Sequence, residues 1–289
     1  MSSTSPTSSV LRDRIPTVSC HNPHRINLGV DWTELLAALQ EYVDQHFAPV
    51  WHTPVKIIDG KHSVRAKPGH WQLVFLRKND QEQGIKGLLG FHDLTEHGQP
   101  LAKVFVDEVE RNHEQVSVTA SHELGEMLVD PWIHMGVRGP DENSWYAYET
   151  SDAVEVGPTV DVRGLPMSNF VYPEWFGAFP GPKFDHRGQC TRPFEIMEGG
   201  FVPIFRNGKW ALRKADGTDV PIHLDSNGNW VLGTGAHIDG ATHARVTRRP
   251  NPARRLSDHA HLFQTQPSSA KPGVARQRPA GSRSAGREG

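Results

Sequence analysis

The run from Ser121 to Pro131, Ser-His-Glu-Leu-Gly-Glu-Met-Leu-Val-Asp-Pro, constrains this chain more than any other stretch. On an α-helix, residues four apart lie one above the other, so His122 and Glu126 fall on one face. Glu123 stands between them. An imidazole and a carboxylate at this spacing can grip one metal ion and leave Glu123 to reach a bound water. The pattern is HExxE. Leu124 and Leu128 supply an apolar face for packing, Val116 to Val118 an apolar entry, and Pro131 a stop. A helix is therefore expected over Val116–Asp130.

The residues before it set the context. Asp31 is placed to cap a helix from Trp32 to about Phe47, because Trp32, Leu35, Leu36, Leu39, Val43 and Phe47 recur at three- and four-residue intervals. Pro49 and Pro54 are expected to close it. Four apolar runs follow, Val55–Ile58, Gln72–Leu76, Leu88–Phe91 and Lys103–Val106, most of them separated by Gly, Pro or Asn, and they read as strands of one sheet. Helix, strands, then the motif helix is the order at the core of zinc-peptidase folds.

After the motif helix, residues 132–150 read as loop, and a short helix is expected near Tyr146 carrying Glu149, Asp152 and Glu155. The aromatic segment Asn169–Phe176 is expected to pack across the core. Asn207-Gly208 and Asn227-Gly228 each precede a Trp within an apolar run, and Asn-Gly is a strong hairpin signal, so 200–234 reads as a small β-meander. The stretch Asp225–Asn229 resembles a calcium loop only superficially, since its Gly falls too early for an EF-hand.

Size and charge bound the rest. The 289 residues allow one large domain or two smaller ones. No stretch approaches the roughly 20 apolar residues needed to cross a bilayer, and Met1 to Val10 has no apolar core of a secretory signal. A cytoplasmic location without membrane association is the expectation. Cys20 and Cys190 are the only cysteines, too few for a cysteine zinc site. The net charge of -2 hides an asymmetry: residues 241–289 hold ten Arg/Lys against Asp258 and Glu288, +8, so the first 240 carry -10. A tail so rich in Arg, Pro, Ser and Gly reads as disordered, and could touch nucleic acid electrostatically. The expected organisation is α+β: a flexible leader over 1–25, a main domain over 26–198 (helix, mixed sheet of about four strands, motif helix), a β-hairpin or meander extension over 199–238, and a disordered tail over 239–289.

His122-Glu-Leu-x-Glu126-x-x-x-Asp130, followed by Tyr148-Glu149-Thr-Ser-Asp152, resembles the gluzincin metallopeptidases of the thermolysin type, part of the zincin group. The resemblance covers residues 115–156. It implies a zincin-like domain, His122 and Glu149 as metal ligands beside Glu126, Glu123 as general base, Asp152 orienting His122, and Asp130 bracing the helix. It departs in two places: Glu126 replaces a histidine, and Glu149 to Asp152 is one residue shorter than usual. The whole chain is also similar to bacterial and phage proteins that share this helix and the downstream Glu-x-x-Asp, a likeness that implies no activity.

The third ligand stays open among Glu149, Asp152 and His134, which lies where the metzincin branch turns back to supply a histidine. Asp130 cannot ligate directly, being about 12 Å up the helix axis. A His/Glu/Glu set cancels both charges of a divalent ion, so zinc would polarise water less, and Mn or Ca becomes a candidate beside Zn. His52, His70, His92 and His97 read as structural or exposed, and Tyr146 and Tyr148 as packing aromatics that could alternatively serve an oxyanion. The leading expectation is a metal-dependent hydrolase acting on a peptide or protein substrate. The alternatives are an inactive zincin-fold structural or phage-associated protein, and nucleic-acid association through the tail.

Overall fold

A computed structural model describes residues 15–63, 66–77, 89–141, 143–177, 180–224 and 230–232. Its first element, β1 (Thr17–His21), falls inside the expected leader, so that expectation fails for residues 15–25. β1 pairs in parallel with two strands, Val18 and Cys20 are fully buried, and five residues give too short an alternation to register as a strand signal.

Asp31 caps α1 (Trp32–Tyr42) as expected, its Oδ1 accepting from the amides of Thr33 (2.8 Å) and Glu34 (3.1 Å). The helix does not stop at Pro49. It widens into a π turn (Val43–Phe47) and continues as α2 (Ala48–Trp51). Pro49 sits in the first turn of that last piece, where a missing N–H costs no hydrogen bond. His52, with a left-handed φ of 55°, ends the run.

The strands β2 (Lys56–Asp59), β3 (Trp71–Leu76), β4 (Gly90–Leu94) and β5 (Pro100–Phe105) complete a five-stranded sheet of order β2-β1-β3-β5-β4. All neighbours are parallel except β4, which runs antiparallel to β5 at the edge. A short helix missed in the sequence, α3 (Val106–Arg111), follows β5. Then comes α4 (Val116–Val129), the expected motif helix. Every residue of α4 except Val118 is buried, so it runs through the molecule rather than along its surface. Gly125 makes that possible on one side, since a Cβ there would lie 2.8 Å from the Phe47 ring.

Residues 132–150 are not a plain loop. They contain β6 (Gly136–Arg138) and β7 (Ser144–Ala147), and Tyr146 sits in a strand. The helix expected to carry Glu149, Asp152 and Glu155 reduces to a 3-10 turn, Asp152–Val154. After a hairpin of β8 (Val160–Val162) and β9 (Leu165–Met167) comes the aromatic segment, where Phe170, Trp175 and Phe176 are buried as expected. The meander is present as β10 (Phe201–Arg206), β11 (Lys209–Lys214), β12 (Asp219–Leu224) and β13 (Trp230–Leu232). Asn207 and Gly208 take φ of 51° and 75°, the left-handed pair such a tight turn requires. β10 also pairs with β7, so one antiparallel sheet of order β13-β12-β11-β10-β7-β6 crosses the boundary expected at residue 199. The Asp225–Asn229 stretch and the basic tail lie outside the described residues.

Among the described residues no helix is long and apolar enough to cross a membrane. Cys20 and Cys190 are separate buried thiols, and burial pushes Cys190 up to about 12.

Candidate metal centre

Three backbone segments converge on one buried, charged cluster. The first is α4, which carries His122, Glu123 and Glu126, each no more than 3% exposed. The four-residue spacing brings His122 Nε2 to 3.3 Å from Glu126 Oε1.

The second is the loop after β7. Glu149, Thr150, Ser151 and Asp152 are all buried, and the Thr150 carbonyl accepts from the Val171 amide (2.7 Å), tying the loop to the aromatic segment. The Ser151 amide donates to Glu126 Oε1 at 3.2 Å, and Asp152 Oδ1 lies 3.2 Å from His122 Nε2. One ligand atom each from His122, Glu126 and Asp152 fits within 4.8 Å of the others.

The third segment is β4, and it brings a residue that the sequence reading set aside. Side chains alternate faces along a strand. His92 pairs with Ala102, whose side chain is in the core beneath α4, so His92 faces α4 as well. Its side chain is only 5% exposed. Nδ1 lies 3.6 Å from Glu126 Oε2 and 4.0 Å from Glu123 Oε2, and Nε2 lies 3.7 Å from Glu149 Oε2. His92, Glu123 and Glu126 form a second group able to hold an ion, sharing Glu126 with the first. Gly90, two residues earlier on the same face, makes room for Glu123: a Cβ there would lie 2.8 Å from Glu123 Cγ and Oε1.

The expected site residues therefore separate into those brought together and those turned away. His122, Glu123, Glu126, Glu149 and Asp152 share the cluster. Within it Asp152 stands with His122 and Glu126, the place assigned by resemblance to Glu149, while Glu149 stands against His92. Asp130 braces the helix end, its carboxylate accepting from the amides of His134 (3.1 Å) and Met135 (2.9 Å). His134 lies against Asp130 with its side chain 55% exposed and belongs to neither group. Tyr146 packs on Trp175 and Phe194 and accepts from Arg213, and Tyr148 packs on Trp51 and Phe176. Both act as packing aromatics. His97 is exposed, as expected. His70 lines a groove on the other face of the sheet with Gln72, Val74 and Lys103, away from the cluster.

His92 was missed through a boundary error of a few residues. The apolar run Leu88–Phe91 stops one residue short of His92, whereas β4 continues to Leu94. Extending the strand's alternation by one residue would have placed His92 on the face of Gly90.

Electrostatics follow from four carboxylates buried beside two imidazoles. Burial alone would raise Glu126, but the His122 and His92 rings outweigh it and hold its carboxyl well below the usual range. Asp152 takes the opposite course. Burial and then the Glu126 charge push it up to about 8, against the bond to His122. The cluster thus relieves its negative charge with a proton, and a cation would relieve it in the same way. Around an ion bound at about 2.1 Å, two donors sit roughly 3.0–3.4 Å apart. The 3.2 and 3.3 Å separations among His122, Asp152 and Glu126 fit that range.

No family model, curated protein or solved structure matches this chain.

Proposed function

We propose that this chain is a metal-dependent hydrolase of zincin-like design, cleaving peptide bonds with one divalent ion held by His122, Glu126 and Asp152. The observation that carries the reading is the convergence of these three buried side chains, from α4 and from a loop 26 residues further along the chain, at ion-ligand separations. The element order of helix, strands and motif helix supports it.

A divalent ion there would supply Lewis acidity to a water and to the scissile carbonyl. The chain's own groups supply the rest. The amide of Ser151 fixes the Glu126 carboxylate, and Asp130 fixes the turn that follows α4. Glu123, given room by Gly90, takes a proton from the attacking water and returns it to the leaving amine. Two carboxylates and one imidazole favour harder ions than a two-histidine set, which makes Mn²⁺ a candidate beside Zn²⁺.

One observation favours a second reading, an inactive zincin-fold module with a structural ion. All the cluster side chains are at least 95% buried, and structural metal sites are closed whereas catalytic ones keep an open position. Metal analysis together with a quenched-peptide library separates the two. An enzyme cleaves peptides, and Glu123→Gln keeps the ion at His122 while losing about 10²–10⁴ in rate. A structural module holds the ion and cleaves nothing in either form.

A further inference from the structure

We infer that the cluster takes two divalent cations, the second held by His92 Nδ1, Glu123 Oε2 and Glu126 Oε2, with Glu126 bridging the pair. This rests on the metal centre proposed above and extends it by a second site.

Glu126 presents its two oxygens to different partners. Oε1 meets His122 Nε2 and the Ser151 amide, while Oε2 faces His92. A carboxylate split in this way is the geometry of a bridge, and two-metal hydrolytic sites hold their ions about 3.5–4 Å apart. The donor inventory agrees. Two imidazoles and four carboxylates, Glu123, Glu126, Glu149 and Asp152, make the ligand set that four-helix di-iron and di-manganese proteins use, here assembled from a helix, an edge strand and a loop. Four ionised carboxylates carry a charge of -4, which one divalent ion halves and two cancel.

His92 is the independent pointer. Its ring is almost fully buried among three carboxylates, all at 3.6–4.0 Å, beyond hydrogen-bond length. Its Nε2 has no hydrogen-bond partner among the described residues. Buried polar atoms are nearly always satisfied, and an orphan at a charged cluster marks the place of an ion or water. When Nδ1 holds an ion, Nε2 carries the proton, and Glu149 Oε2 is the nearby acceptor that orients the ring, the carboxylate–histidine–metal arrangement. The hydroxyls of Thr150 and Ser151, fully buried between Glu149 and Asp152, also have no hydrogen-bond partner among the described residues. Glu123 gives the second ion Oε2 and keeps Oε1, beside Gly90, for proton transfer.

The separations at the second site are wider than at the first, so the second ion binds more weakly and enters after it. Equilibrium dialysis of the full chain against Mn²⁺, read by mass spectrometry, should give about two equivalents per chain. Electron paramagnetic resonance should then show the exchange-coupled spectrum of a close Mn²⁺ pair. His92→Ala should fall to about one equivalent with an uncoupled spectrum, and His92→Gln should do the same while sparing the packing. One equivalent in the wild-type chain, or two uncoupled ions, overturns the bridged pair and leaves the single-ion hydrolase intact. No bound Mn²⁺ overturns both, and two coupled ions without peptide cleavage sustain the pair while removing the hydrolase.

Discussion

Asp152→Asn separates the proton at this centre from the ion. In the metal-free protein Asp152 titrates near 8 rather than at an ordinary aspartate value, because burial and the neighbouring Glu126 charge oppose its ionisation. Between the unfolded and folded values the native state binds the extra proton, so stability must fall as pH rises through that window. Histidines with depressed values still release protons from the unfolded chain just above pH 6.5, but equally in both proteins, so the difference between wild type and Asp152→Asn over pH 6.5 to 8 isolates this group. One and a half pH units at about 1.4 kcal/mol each is about 2 kcal/mol. For a chain of this size that corresponds to a melting temperature roughly 4–8 °C lower at pH 8 than at pH 6.5. The assay is scanning calorimetry in chelator at both pH values. Asparagine is nearly the shape of the neutral acid, so Asp152→Asn should lack this fall of about 2 kcal/mol relative to wild type while keeping the stability seen at pH 6.5. Adding Mn²⁺ or Zn²⁺ should displace the proton and remove the slope from the wild type only. If wild type and Asp152→Asn lose stability equally between pH 6.5 and 8, the buried charge is not resolved as described, and the argument for a cation fails with it.

Three further outcomes follow from individual contacts. Gly90→Ala places a Cβ 2.8 Å from Glu123 and from the Lys103 carbonyl, so a loss of about 1–3 kcal/mol by denaturant melts is expected, with weakened metal binding; an unchanged melt would contradict the close approach. Asp31→Ala removes both cap bonds of α1 and should cost about 1 kcal/mol while leaving metal affinity unchanged, since the cap does not touch the cluster. His186 is lowered to about 4 by burial and by His46, 3.0 Å away, so the unfolded chain binds more protons between pH 6.5 and 4 and stability falls on acidification across that range. Discounted for its partial exposure, the effect is about 1–2 kcal/mol, and calorimetry of His186→Phe should show it removed.

Much of this arrangement was legible in the sequence, and the misses have physical causes. Long periodic segments declared themselves: α1 through its apolar spacing and Asp31, α4 through its motif and Pro131, and the Asn207-Gly208 hairpin through a turn only such residues adopt readily. Short elements did not. β1, β6 and β7 span five residues or fewer, and their strand character comes from partners distant in sequence rather than from any local pattern. The same limit governs the site. His122, Glu123 and Glu126 come from one helix and needed only its periodicity. The positions of Glu149, Asp152 and His92 depend on a loop and an edge strand brought in by tertiary contacts, so the helix motif alone does not show that Asp152 lies 3.2 Å from His122 or that Glu149 lies 3.7 Å from His92. Pro49 misled because a π turn shifts the register in which a proline is tolerated.

Anomalous diffraction at the zinc or manganese edge, from crystals of the loaded full chain, bears most directly on whether this cluster is a metal centre. A peak about 2.0–2.3 Å from His122 Nε2, Glu126 Oε1 and Asp152 Oδ1 is the expected result. Peaks confined to exposed histidines such as His97 or His134, with none inside the cluster, would contradict it.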